Sequence, residues 1–463
     1  MESERQRLRS LTNMINDTSI SEMAVISSTI LSHDSLTISS TVVPLNIPLS
    51  SSSISNNVED DDVRLSKEES DNSIVPPHIY SIFGLYFTVG PDYYELKHLA
   101  RGSYGHIVKA KHDLSNNKTI DVAIKRLDIK VPNLSVREKI SYYKDIYQEI
   151  FIPSQLDEHE NLMKIDDIIV PSQSFKHLKE IYLVQKLMDE DLCKVIKTRQ
   201  TLNVKYIMYK IISGIRFIHS ANVVHRDLTP NNILIKKDEL FISDFGFATA
   251  GRIIFDDLEG DWCYPMSEEM NNQVGTRGYR APELLLACPY YTKAVDMWSV
   301  GCIFGEMLSK CKIFHSYHDL PNLREIFELI GWPVSNEDLE WLPDHSRQYI
   351  TKHFNNNPPQ LRSFEELFPS SPPDDDALDL LTNLLKFNPY KRLTAEQAIL
   401  HPYFQIYNNN NPTPTSNKLL WIELDHLNTV DDVKKFLFDE AINIRTRLHS
   451  QKSITGRKNE IEN

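Results

Sequence analysis

The sequence predicts an α+β fold in two lobes, the first mostly strand and the second mostly helix. Three observations predict it. Turn-bounded, β-branched segments dominate up to about Leu187, and helical periodicity dominates after it. Hydrophobic residues make up 41% of the 463 and aromatics 10%, enough to fill a sizeable core. The first 78 residues are rich in Ser, Thr and Asn without a sustained period, and read as a disordered tail. The expected organisation is that tail, one globular domain over 79–404 split into lobes 79–187 and 188–404, and a linker with a C-terminal extension over 405–463.

The elements follow in order. "YELKHLARGSYGHIVKAKH" and "TIDVAIKRL" have the composition of strands. "SVREKISYYKDIYQEIFI" has helical spacing, and Pro153 is expected to end or kink that helix early. "EIYLVQKLM" reads as a buried strand. From Asn203 to Ser220, Ile207, Ile211 and Ile215 form one helical stripe with Met208 and Ile212 beside it. "AVDMWSVGCIFGEML" and "DDALDLLTNLLKF" are further buried helices. "NNNNPTPTSN" is a low-complexity linker, "TVDDVKKFLFDEAINI" a helix after it, and the last fifteen or so residues are expected to be loose.

Composition excludes several classes. The net charge of −14 argues against a general nucleic-acid or membrane-surface binder, while permitting a local basic groove. Five cysteines, Cys193, Cys263, Cys288, Cys302 and Cys311, show no zinc-site spacing and read as reduced thiols of a cytoplasmic or nuclear protein. No apolar run reaches the length of a membrane helix, and the N-terminus shows no secretory apolar core. The basic "RQRLR" at Arg5–Arg9 is either a docking peptide or simply part of a solvated tail.

Four segments carry chemistry. In "LARGSYGHIV", Leu99, Ala100, Arg101, Gly102, Ser103, Tyr104, Gly105, His106, Ile107 and Val108, two glycines between strands would let a hairpin backbone lie close over phosphates. A plain β-turn is the bland alternative. Lys125, in "VAIK", is costly on a buried strand unless paired; nucleotide phosphates and Glu149 would justify it, and a snorkelling surface lysine is the other reading. "VVHRDLTPNNIL" supplies Asp227, able to accept a hydrogen bond from an attacking hydroxyl, and Asn232, a neutral oxygen ligand for Mg²⁺. "DFG" adds the Asp244 carboxylate for a metal bridging phosphates, and "APE" follows. Any one segment arises by chance, but the ordered set is highly specific.

On these residues the chain from about Ile79 to Ile444 resembles a eukaryotic protein kinase of the mitogen-activated protein (MAP) kinase family. "FTVGPDYYELKHLARGSYG", "IYLVQKLMDEDLCKVIK", "FIHSANVVHRDL" and "IELDHLNTVDDVKKFLFDEA" carry the finer match, and "IGWPVSNEDLEWL" is similar to an insert shared with cyclin-dependent kinases. The resemblance implies a two-lobed protein-kinase fold with a small β-rich N-lobe and a larger helical C-lobe. It implies ATP held by the Lys186 carbonyl and Met188 amide, with Gln185 behind them and Asp191 on the ribose. Lys125 and Glu149 would form the active ion pair, Asp227 would be the catalytic base, and Asn232 and Asp244 would bind Mg²⁺. Glu283 would pair with Arg392, and Asp296 would tie the catalytic loop to its helix.

The chain also departs from the family. The phosphorylated Thr-x-Tyr should fall at Asn271–Asn272–Gln273, none of which accepts phosphate. Arg226, which would meet that phosphate, is left as a cation in need of a partner. Glu268 and Glu269 could stand in, or could be merely solvated; alternatively Ser267, Tyr264 or Thr276 carries the phosphate. The segment from Asp244 to Glu283 looks long, and its apolar residues suggest built-in order or order lent by a partner. Thr229 replaces a lysine that contacts the γ-phosphate, which predicts lower turnover. The acidic docking patch reads as four asparagines, Asn408–Asn411, which weakens attraction for basic peptides.

Gly275, in a position needing a left-handed backbone, and Arg280, expected to hold the resulting carbonyl, suggest Ser/Thr-Pro substrates. The leading reading is an active serine/threonine kinase with protein substrates and an upstream kinase or activating partner. A nucleotide-binding scaffold with weak transfer and a cyclin-dependent type are the alternatives.

Overall fold

A computed structural model describes residues 78–461 except 102–104, 115–117, 132, 199–201, 252–253, 256–261, 266–273, 334–335, 363, 369–371, 408–412 and 425. The N-terminal tail, Gly102, Ser103, Tyr104, Ser267, Glu268, Glu269, Asn271, Asn272, Gln273 and Asn408–Asn411 therefore lie outside the described residues.

The first lobe is built on a five-stranded antiparallel sheet of β3 (Tyr93–Arg101), β4 (His106–Leu114), β5 (Lys118–Asp128), β6 (Asp167–Ile169) and β7 (Glu180–Lys186), in the order β3-β4-β5-β7-β6. Residue alternation gives the sheet two apolar faces. On one, Val108, Ala110, Val122, Ile124, Tyr182 and Val184 meet Tyr80, Phe87 and Val89 of a hairpin formed by β1 (His78–Ile82) and β2 (Leu85–Val89). On the other, Leu127, Ile168, Ile181 and Leu183 meet helix α1 (Val136–Gln155) through Ile140, Tyr143, Ile146, Tyr147 and Ile150.

Helix α1 opens with a full capping box, Ser135 and Glu138 satisfying each other's backbone N–H. Pro153 does not end it; the helix runs on to Gln155. Proline lies in the last turn, so only one backbone bond is lost there, and the Leu156 N–H still reaches the Ile152 carbonyl at 3.2 Å.

The connection through β8 (Glu190–Asp191) and α2 (Leu192–Thr198) leads into the helical lobe. Its core surrounds α3 (Val204–Ser220), whose stripe of Ile207, Ile211 and Ile215 is buried as the periodicity requires. Two short strands, β9 (Val223–Val224) and β10 (Ile233–Lys236), bracket the catalytic-loop sequence, and β11 (Glu239–Ile242) returns beside β10. Beyond β11 come β12 (Thr249–Ala250), β13 (Ile254–Phe255), β14 (Trp262–Pro265), α4 (Pro282–Leu285) and β15 (Tyr290–Tyr291). Helix α5 (Ala294–Ser309) crosses the centre, with Trp298 wholly buried and stacked on Phe314 at 5.9 Å.

The chain then returns to the first lobe. Helix α6 (Val430–Ile461) lays Val433, Leu437, Phe438, Ala441 and Ile444 into the same core as α1. It continues through residues expected to be loose. One reason is an anchor: the buried Asp167 carboxylate meets Arg445 at 3.5 Å and His449 at 2.7 Å.

Candidate active site

The strand lysine and the helix glutamate come together at the mouth between the lobes. β5 presents Lys125 on the face toward α1, and α1 presents Glu149 one turn after Asp145. Lys125 pairs with Glu149 and, at 2.9 Å, with Asp244 Oδ1. Lys125 and Glu149 are 6% and 3% exposed, so the snorkelling alternative is out. Burial pulls the Lys125 ammonium downward, but the two carboxylates outweigh it and hold its pKa above the ordinary lysine value. Burial likewise works to raise the Asp244 carboxyl, and Lys125 overrides it, so that group stays below the usual carboxylate range. An ionised Asp244 is the form that binds a cation.

The catalytic-loop sequence is fixed from below. Asp296, fully buried on α5, accepts the backbone N–H groups of His225 and Arg226 at 2.8 Å each and faces His219 at 2.9 Å. His225 Nε2 lies 3.0 Å from the Ser243 carbonyl, a bracing role. Arg226 and Asp244 are both left-handed, at φ 66° and 62°. Such conformations at non-glycine residues cost about 1–3 kcal/mol each and persist where the surroundings over-determine them; here Asp296 and Lys125 do so.

Asp227 is held from two sides. Asn232 Nδ2 donates to the Asp227 carbonyl at 2.7 Å and to Asp227 Oδ2 at 3.2 Å. Thr276 donates to Asp227 Oδ1 through its backbone N–H at 2.8 Å and its hydroxyl at 2.7 Å. Asn232 is thereby oriented with its amide nitrogen on Asp227, leaving the oxygen for another role. Among the described residues no cluster of three His, Cys, Asp or Glu side chains could hold a metal ion. A divalent ion on Asn232 and Asp244 would need further oxygens, which a nucleotide's phosphates and water provide.

β3 and β4 pair on either side of the glycine-containing sequence, with Ala100 opposite Ile107 and Arg101 opposite His106. Gly105 is required by close approach: a Cβ there would lie 1.9 Å from the Arg126 carbonyl oxygen. Leu99 is half exposed at the rim, and Ile107 is the cross-strand neighbour of Lys125. Lys186 ends β7 with Gln185 opposite Ala123, and Met188 follows in the crossing between lobes. Asp191 accepts the Lys194 N–H at 2.7 Å and so starts α2.

Other expected pairs are in place. Arg392 forks onto Glu283 at 2.8 and 3.1 Å, with both side chains almost fully buried. Gly275 has φ +83°, and Arg280 Nη2 donates to its carbonyl at 2.8 Å. Arg226 is not a cation in search of a partner: its guanidinium donates to the Phe247 carbonyl and, at 2.8 Å, to the Tyr291 hydroxyl. The sequence reading missed Tyr291, because nothing in a tyrosine beyond "APE" signals a tie to the catalytic loop. Of the three alternative phosphate acceptors, Ser267, Tyr264 and Thr276, the last has its hydroxyl on Asp227.

A protein kinase domain model matches residues 93–404. The mitogen-activated protein kinase mpk-1 of Caenorhabditis elegans is 36% identical over 369 residues, covering 79% of this chain and 76% of that protein. Extracellular signal-regulated kinase 1 of Dictyostelium discoideum is 36% identical over 339 residues, covering 72% of this chain and 59% of that protein. Mitogen-activated protein kinase 10 of Arabidopsis thaliana is 35% identical over 371 residues, covering 78% and 86%. With the Lys125–Glu149–Asp244 cluster beside Asp227 and Asn232, these likenesses lead to one conclusion: the chain belongs to the protein kinase family, among its mitogen-activated members, and is a protein serine/threonine kinase.

Proposed function

We propose that the chain phosphorylates Ser or Thr followed by Pro, using ATP with Mg²⁺. The observation that carries the substrate class is the left-handed Gly275 with its carbonyl held by Arg280. That carbonyl is turned inward and engaged. It does not face the residue after the acceptor, so a backbone N–H there would lose its partner in the cleft. Proline has no such N–H.

The roles follow from chemistry. Asp227 accepts the hydrogen bond of the acceptor hydroxyl and orients its oxygen for in-line attack. Asn232 and Asp244 would hold Mg²⁺, which supplies charge neutralisation at the phosphates. Lys125 would contact the phosphates while Glu149 keeps it in place. The stretch from Leu99 to Ile107, which includes Gly102, Ser103 and Tyr104 in its sequence, would cover them. The Lys186 carbonyl and Met188 amide would hold the adenine, and Asp191 the ribose. Thr229 is buried and neutral at a position where the resemblance puts a lysine on the γ-phosphate, so low turnover is expected.

Protein substrates and an upstream kinase or activating partner fit this reading; nucleic acid and membrane are not expected partners. Among the described residues, Cys193, Cys288, Cys302 and Cys311 are free thiols, which supports a reducing cytoplasmic or nuclear location.

The test is ATP turnover by purified protein on a Ser-Pro peptide and its Ser-Ala counterpart, beside Asp227→Asn. Turnover with the first peptide, weak turnover with the second and none in the variant are expected. Equal turnover in variant and wild type would remove the role of Asp227, and equal rates on the two peptides would remove the proline rule.

A further inference from the structure

We propose that Tyr291 is a positioning residue of the catalytic loop, and that through it β14 and β15 tie the described part of the segment between Asp244 and Glu283 to that loop without a loop phosphate. The inference rests on the kinase reading above.

Arg226 precedes Asp227 and is 4% exposed. A buried guanidinium must be compensated, at a cost of several kcal/mol otherwise. An activating phosphate would serve, but the residues at the usual acceptor positions, Asn271, Asn272 and Gln273, carry no hydroxyl. Two neutral oxygens are among its partners. The Phe247 carbonyl belongs to the turn that carries Asp244, and the Tyr291 hydroxyl comes from β15. On the helix side, Asp145 feels Arg226, whose positive charge opposes the rise that burial imposes on its carboxyl.

Tyr291 is itself 4% exposed and belongs to a small sheet. β14 pairs with β15 through Tyr264 opposite Tyr291 and Pro265 opposite Tyr290, and β13 pairs with β14 through Ile254 opposite Cys263. Both β13 and β14 lie inside the segment between Asp244 and Glu283. Their pairing is tied at its edge to Tyr291, and the Tyr291 hydroxyl is tied to the residue before Asp227. At its far end the segment touches the same loop again. A Cβ on Gly275 would lie 2.9 Å from the Arg226 carbonyl, and Thr276 bonds Asp227. The segment is thus fixed to the catalytic loop at Phe247, at Tyr291 through β14, and at Gly275–Thr276. None of these contacts uses a phosphate.

The experiment uses the full chain, treated with a general phosphatase until its intact mass equals that of the unmodified polypeptide. The Ser-Pro peptide kcat should stay within about twofold of the untreated enzyme; a fall of about tenfold or more overturns the proposal. Tyr291→Phe should lower kcat about fivefold to tenfold, with the KM for ATP changed less than about twofold, and Tyr290→Phe should match wild type. A Tyr291→Phe enzyme with wild-type kcat also overturns it. Amide hydrogen exchange in the phosphate-free chain reads the same contact without turnover. Residues 226–228 should exchange faster in Tyr291→Phe than in wild type, and equal exchange rejects the positioning role. If untreated wild type shows no transfer, the kinase reading fails, and the exchange comparison still decides the role of Tyr291.

Discussion

Thr276 donates twice to a single oxygen of Asp227, once from its backbone and once from its hydroxyl. The other carboxylate oxygen faces Asn232, so the carboxylate proposed to orient the substrate is fixed on both edges. Removing the hydroxyl deletes a hydrogen bond to an ionised group, worth about 1.5–3 kcal/mol. Thr276→Val should lower kcat by roughly tenfold to a hundredfold, and Thr276→Ser should restore most of it. Thr276→Glu should be inactive, since it places a second negative charge against Asp227. Steady-state kinetics on the three variants check this, and a Thr276→Glu enzyme more active than wild type would contradict it.

Under the proposed proline rule, Arg280 governs the choice. Its Nη2 engages the Gly275 carbonyl, and Nη1 lies 3.7 Å from Asp319. Arg280→Met frees the carbonyl to meet a backbone N–H. The ratio of kcat/KM for Ser-Pro over Ser-Ala peptides should then fall by roughly tenfold, the value of one hydrogen bond. Paired peptide assays measure it; an unchanged ratio would show that the carbonyl has no part in selection.

The Glu283–Arg392 pair is a stability element. Arg392 also donates to the Ala294 carbonyl at 2.6 Å, so it joins α4 to α5. Glu283→Ala leaves a buried guanidinium uncompensated, which should cost about 3–5 kcal/mol. Thermal and urea unfolding should both register the loss. Removing both charges, as Glu283→Met with Arg392→Met, should recover part of it.

His159 makes the helical lobe acid-sensitive. It is 5% exposed, its Nδ1 accepts the Asn161 N–H at 3.1 Å, and burial lowers its pKa from 6.5 to about 4. Between those values the unfolded chain binds the proton and the folded one does not. Stability therefore rises with pH across that window and is lost as pH falls through it, by up to about 3 kcal/mol from this group. His159→Gln should flatten the unfolding free energy between pH 6.5 and 4. A slope identical to wild type would assign the acid sensitivity to other groups.

The residues gathered at the candidate site were legible because each is fixed by short-range pattern. Lys125 stands on a β-branched strand, Asp227 and Asn232 share one loop, and Asp244 opens "DFG". The helix stripe of Ile207, Ile211 and Ile215 was equally plain, since burial follows its period. What escaped was long-range and neutral. The Tyr291 contact to Arg226 spans 65 residues, and the sheet beneath it consists of two-residue pairings too short to leave a periodic trace. The length of α6 was also hidden, because its distal turns are polar and one of their anchors is a buried aspartate on a strand nearly three hundred residues earlier. Pro153 misled for the opposite reason: a local rule was applied at a helix end, where the lost bond matters least.

The apolar wall shared by α1 and α6 gives the C-terminal stretch leverage on the active centre. Ile146 and Ile150 touch that wall, and Glu149, which grips Lys125, stands between them on the same rod. Peeling away the tail would leave that rod without backing, and the grip would slacken some distance from the break. Removal of residues 430–463 should thus act as a remote brake on phosphoryl transfer, felt in the chain that remains even where every group in the cleft is intact.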